Sequence, residues 1–88
     1  MHRHVAADVA RVLAALHDEG AWFRHGLSDQ RVAEITGFDI ERTVTARRAA
    51  QQRGFVERVG RGLDAVTMLT PLGVARARAA RQTAPLST

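Results

Sequence analysis

Eighty-eight residues suffice for one domain with a small core and leave no room for a second. A hydrophobic content of 45% excludes wholesale disorder, and the absence of cysteine excludes disulfides and thiolate metal sites and suits a reducing cytoplasm. No apolar run approaches the roughly 20 residues of a membrane span, and the opening MHRHVAADVARV lacks the apolar stretch of a secretory signal, so no membrane partner is expected. All 13 basic residues are arginine, set against 9 acids. A lysine-free, alanine-rich chain reflects GC-rich coding, so the pI of 11.5 says less than where the charge lies. Six arginines and a single acid, Glu57, fall between residues 42 and 61, whereas the rest of the chain holds seven arginines and eight acids. The positive excess is therefore local. A clustered basic face is the footprint of a polyanionic partner, and its plain alternative is a solvated arginine surface.

In chain order, residues 1–4 read as a tail, residues 5–82 as the domain and residues 83–88 as a second tail. Val5, Val9, Val12, Leu13 and Leu16 recur at helical spacing, and Gly20 stops that first helix. Trp22 and Phe23 are expected to anchor the core near a short strand or extended link. Ser28 is an N-cap with Asp29 in the first turn, opening a second helix whose Val32, Ala33 and Ile35 face inward. Gly37 ends it and Phe38 plugs the turn. Asp39 then caps a third helix over residues 40–53, which stops at Gly54. Residues 55–59 and 65–69 read as two strands joined across Gly60-Arg61-Gly62. Thr70-Pro71 combines an N-cap with proline at the first helical position, predicting a last helix from Pro71 to about Arg81.

Two short helices at this spacing form a helix-turn-helix, and the hairpin directly behind them adds a wing. The predicted fold class is α+β: a winged helix-turn-helix with a three-helix core, a two-stranded β-hairpin wing and a C-terminal helix. Over roughly residues 27 to 80 the chain resembles the winged-helix DNA-binding domain of MarR-like transcriptional regulators and related small bacterial and phage regulators. The residues that carry this are Ser28 to Gly37 (SDQRVAEITG), Gly54-Phe55-Val56 at the start of the wing, and Leu69-Thr70-x-x-Gly73 before the last helix. The hairpin departs from the family in lacking its Asp-x-Arg element, since Asp64 has no arginine two residues on. The resemblance implies a winged helix and does not extend to effector binding.

Aligned on Gly37 and Gly54, the resemblance places Thr43, Ala46 and Ala50 inward on the third helix. Helical geometry then turns Glu41, Val44, Thr45 and Arg48 outward, with Arg42 and Arg47 at the flanks. The expected base-contacting set is Arg42, Val44, Thr45 and Arg48, on a helix lying in the major groove. Arginine binds guanine O6 and N7 with two bonds, and an apolar side chain suits a thymine methyl. Val44 belongs instead to the core if the helix is rotated, and Arg42 and Arg47 serve instead as surface ion pairs if acids such as Asp39 or Glu41 reach them. The expected wing and backbone set is Arg61, Arg58, Arg47, Ser28 and Arg31. Arg61, between two glycines, suits the narrow negative minor groove, the wing being residues 58–65. Ser28 and Arg31 stand where a helix N-terminus suits phosphate, although Ser28 also reads simply as a cap.

Enzymatic chemistry finds little support, because His2, His4, His17 and His25 are not at a recognised metal-ligand spacing and no plausible nucleophile with a base is found. No cofactor is expected. The function read from the sequence is sequence-specific binding of double-stranded DNA by a cytoplasmic, nucleoid-associated transcriptional regulator. A homodimer would double the short site that one winged helix reads. The alternative is a winged-helix protein-interaction module in a larger complex, since fold does not fix function.

Overall fold

The computed structural model describes residues 2–82, in the order α1 (His2–Asp18), α2 (Asp29–Thr36), α3 (Ile40–Gln52), β1 (Val56–Val59), β2 (Val66–Leu69) and α4 (Pro71–Gln82). The helix α1 opens before Val5, where the apolar periodicity begins, because residues 2–4 contain no glycine or proline to stop a helix. The segment expected as a C-terminal tail, residues 83–88, lies outside the described residues. α1 is the axis of the domain and packs against α2, α3, α4 and β2. Its Val9, Val12, Leu13 and Leu16 meet Val32 of α2, Ala46 and Ala50 of α3, Val56 and Leu69 of the hairpin, and Ala77 of α4 in one core. Phe38 joins this core from the turn between α2 and α3.

The helix ends follow local chemistry. Ser28 Oγ accepts from the Arg31 amide at 3.0 Å, and Asp39 Oδ1 accepts from the Arg42 amide at 2.8 Å, each satisfying an amide with no partner inside its helix. Gly37 closes α2 in the left-handed conformation and donates its amide to the Ala33 carbonyl. Thr70 Oγ1 accepts from the Gly73 amide at 3.0 Å and donates to the Gly54 carbonyl at 2.5 Å, so one hydroxyl caps α4 and ties it to the end of α3. Gly73 is fixed by crowding. A Cβ built there would stand 1.8 Å from the Phe55 carbonyl oxygen, so α4 crosses the start of the hairpin only if position 73 has no side chain.

The strands pair antiparallel with Val56 opposite Leu69 and Val59 opposite Val66. The extended link expected around Trp22 and Phe23 is absent. Glu19 to Phe23 form turns instead, with Gly20 at φ 74°, and the ring of Phe23 is exposed while Trp22 packs half-buried on the core. The extended contact comes later, at Leu27. Its amide and carbonyl exchange hydrogen bonds of 3.0 and 2.7 Å with Thr67, adding a single bridge to the edge of β2. Gly26, just before it, has no space for a side chain against Val66 and Thr67.

Candidate nucleic-acid interface

α3 presents two faces. Thr43, Ala46, Arg47 and Ala50 are buried, and Thr43 Oγ1 returns a hydrogen bond to the Asp39 carbonyl at 2.9 Å. The small inward residues let α3 lie close on α1 and α2, as the sequence implies. Glu41, Thr45 and Arg48 stand exposed on the opposite face, with Val44 half-buried beside them. Ile40, Glu41, Val44, Thr45 and Arg48 line one shallow depression on the helix.

The six arginines of the basic segment divide by environment. Arg47 is drawn inside, its side chain 5% exposed. Its Nε and Nη2 each donate to an Asp29 carboxylate oxygen at 2.9 Å, and its Nη1 donates to Gln51 at 2.5 Å. This removes Arg47 from the surface set named from the sequence. The reason is geometric: position 47 lies four residues after Thr43 and three before Ala50, on the same side of the helix, and the first turn of α2 brings a carboxylate there. Arg42 is half-exposed but also engaged. Its Nε and Nη2 donate to Asp8 of α1 at 2.9 and 2.8 Å, and its guanidinium lies 4.0 Å from the centre of the Phe38 ring. The hydrogen bond to Asp8 is the largest cause holding the Arg42 guanidinium above its ordinary pKa, ahead of burial, which acts the other way. Two of the three guanidinium nitrogens of Arg42 are thus engaged within the fold, so a contact to guanine would compete with Asp8. The acids that engage both arginines are Asp8 and Asp29, not the Asp39 and Glu41 weighed from the sequence.

Arg48, Arg53 and Arg61 have no ion-pair partner among the described residues. Arg48 projects from the exposed face of α3. Arg61 sits at the hairpin tip between Gly60 (φ 91°) and Gly62 (φ 60°), both in the left-handed region that a side chain disfavours. Arg58, on β1, approaches the Asp29 carboxylate at 4.0 Å, so the wing and both helices of the helix-turn-helix meet around one acid. Arg31 pairs with Glu34 on the exposed side of α2 at 3.1 Å, and Ser28 is occupied as the α2 cap.

Between these elements lies a groove of about 780 Å³. Ser28 and Asp29 of the α2 N-terminus form one wall, Ile40 and Val44 of α3 the floor, and Arg58 and Leu63 of the wing the other wall. Ile40 and Leu63 escaped the sequence reading. Leu63 is fully exposed on the one-turn 3₁₀ helix Gly62–Asp64 that closes the wing. Ile40 could have been found from its spacing, four residues before Val44 on the same helical row. Among the described residues no group of His, Asp and Glu is arranged to hold a metal ion, and no helix is long and apolar enough to cross a membrane.

Three helices, a two-stranded hairpin and a fourth helix, with α2 and α3 meeting at a capped turn, define a winged helix-turn-helix domain. The domain is MarR-like. Its structure is similar to the crystal structure of a MarR family transcriptional regulator from Silicibacter pomeroyi DSS-3, with a TM-score of 0.70 and 25% sequence identity over 93% of this chain and 60% of that one. The chain thus spans less than two thirds of that regulator's length. No protein-family model and no curated protein matches the sequence.

Proposed function

We propose that this domain binds double-stranded DNA with sequence preference, as the DNA-reading part of a transcriptional regulator in the cytoplasm. The observation that carries this is the separation of the arginines. Arg42 and Arg47 are engaged by acids of the fold, while Arg48 on α3, Arg53 at its C-terminal end and Arg61 at the wing tip are left exposed without an ion-pair partner. α3 lies in the major groove, with Thr45, Arg48 and Val44 toward the bases, and the wing lies along the minor groove with Arg61 in its narrow negative slot. Arg58, Arg31 and the α2 N-terminus at Ser28 face the phosphates between the two grooves. Arg42 and Arg47 hold α3 in place for this contact. A homodimer would present two such surfaces to a two-fold related site.

One observation favours a second reading, docking of another protein: the groove floor and wing carry Ile40 and Leu63 exposed, beside the acids Asp29 and Glu34. Fluorescence anisotropy on a mixed-sequence duplex at low and high salt separates the two. DNA binding through phosphate contacts weakens steeply as salt rises, because condensed counterions are released. No binding at low salt would overturn the DNA reading.

A further inference from the structure

Ile40 is the first residue of α3 and is 49% exposed. A helix-turn-helix inserts the N-terminal residues of its second helix deepest into the major groove. Val44 follows one turn later, so the two apolar side chains are neighbours on the helix surface. Both line the depression that also holds Glu41, Thr45 and Arg48. The adjacent Asp39 carboxylate is turned back onto the Arg42 amide as the helix cap, which leaves Ile40 and Val44 as an apolar patch flanked by Glu41 on one side and Arg48 toward the end of the helix.

We infer that Ile40 and Val44 form a specificity patch for the 5-methyl groups of thymine, resting on the DNA reading above. The 5-methyl is the one apolar feature that a base pair shows in the major groove. An isoleucine kept half in water at the start of a helix has a use when such a methyl covers it. Arg48, one turn beyond Val44, reads a neighbouring guanine while the patch selects thymine. Ile40 is thereby a base-selecting residue, and Val44 acts with it.

The test begins with sites selected by the 88-residue chain from a random duplex pool. Each thymine of the selected site is then replaced singly by deoxyuridine, which removes the methyl group alone. The expected result is a loss of affinity of about fourfold at one or two positions, the effect of withdrawing one methyl-sized group from apolar contact. Ile40→Ser and Val44→Ser, which put a short polar side chain in place of each apolar one, should erase that loss while binding with the same salt dependence. Deoxyuridine that is neutral at every position, with site-selective binding intact, would overturn the patch and leave the DNA reading standing. An equal deoxyuridine penalty in the parent chain and both variants would overturn the assignment to Ile40 and Val44. Absence of duplex binding at low salt would overturn the DNA reading itself, and the patch with it.

Discussion

Arg47 and Asp29 face each other across the joint between α3 and α2, with two parallel hydrogen bonds of 2.9 Å in the paired geometry that suits guanidinium and carboxylate. Arg47 is almost wholly shielded from water and Asp29 nearly so. Removing Arg47 leaves Asp29 in a place with little solvent, with only the more distant Arg58, at 4.0 Å, to offset its charge. Arg47→Met should therefore destabilise the domain by about 3 kcal/mol, the lower end for a broken buried pair because Asp29 keeps some access to water. A domain of this size holds on the order of 4–13 kcal/mol in total, so the loss should be plain in urea unfolding. The double variant Arg47→Met with Asp29→Leu should regain part of it, since the charge it leaves without a partner, Arg58, is partly exposed to water. A single variant as stable as the parent would show that the pair contributes nothing.

Gly73 supports a prediction from crowding alone. Its missing Cβ would lie 1.8 Å from a backbone oxygen of Phe55, and neither the α4 backbone nor the start of β1 is a flexible tip that could swing away. Gly73→Ala should cost about 2–3 kcal/mol, in the range for overpacking, despite the better helix propensity of alanine. The thermal midpoint should fall by roughly 10 °C or more at the sensitivity usual for a small domain. A midpoint that rises would mean that propensity outweighs the contact.

Thr70 carries two jobs in one hydroxyl, accepting from the Gly73 amide and donating to the Gly54 carbonyl. Thr70→Ala loses both and should destabilise by about 1–2 kcal/mol, at or above the usual value of a cap. Thr70→Ser keeps the oxygen and should recover most of that stability. Equal midpoints for the serine and alanine variants would show that the hydroxyl is not what matters at this position.

The elements were legible where the signal is local. Ser28, Asp39 and Thr70 announce helix starts through side chains that bond amides two or three residues away, and each does so in the fold. The inward face of α3 followed from the spacing of Thr43, Ala46 and Ala50. What the sequence hid depends on how helices cross. Nothing local says that Asp8, on α1, will meet Arg42, or that Asp29, which reads as a favourable first-turn acid, will take in Arg47. Arg47 was partly readable even so, since it shares the helical row of Thr43. The extended contact at Leu27 was hidden for a different reason. It is a single bridge, too short to leave an alternating pattern, whereas the aromatics Trp22 and Phe23, whose side chains suit a strand, lie in a turn.

The division of labour between α3 and the wing gives the last prediction. Arg48 is exposed on the helix proposed for the major groove, where a paired bond to guanine is worth about 1–3 kcal/mol of discrimination. Arg61 stands on a glycine-flanked tip with no neighbour to direct it toward one base, and the minor groove distinguishes bases poorly. Arg48→Ala should therefore weaken binding to the selected site by about 5- to 150-fold while leaving random duplex nearly unchanged, so that preference is lost. Arg61→Ala should weaken selected and random duplexes alike and should lower the dependence of log affinity on log salt by about one ion. Titrations of both duplexes at several salt concentrations measure the two effects together. If both variants lose the same factor on selected and random DNA, then Arg48 contacts phosphate rather than a base, and the preference must come from Thr45, Val44 and Ile40.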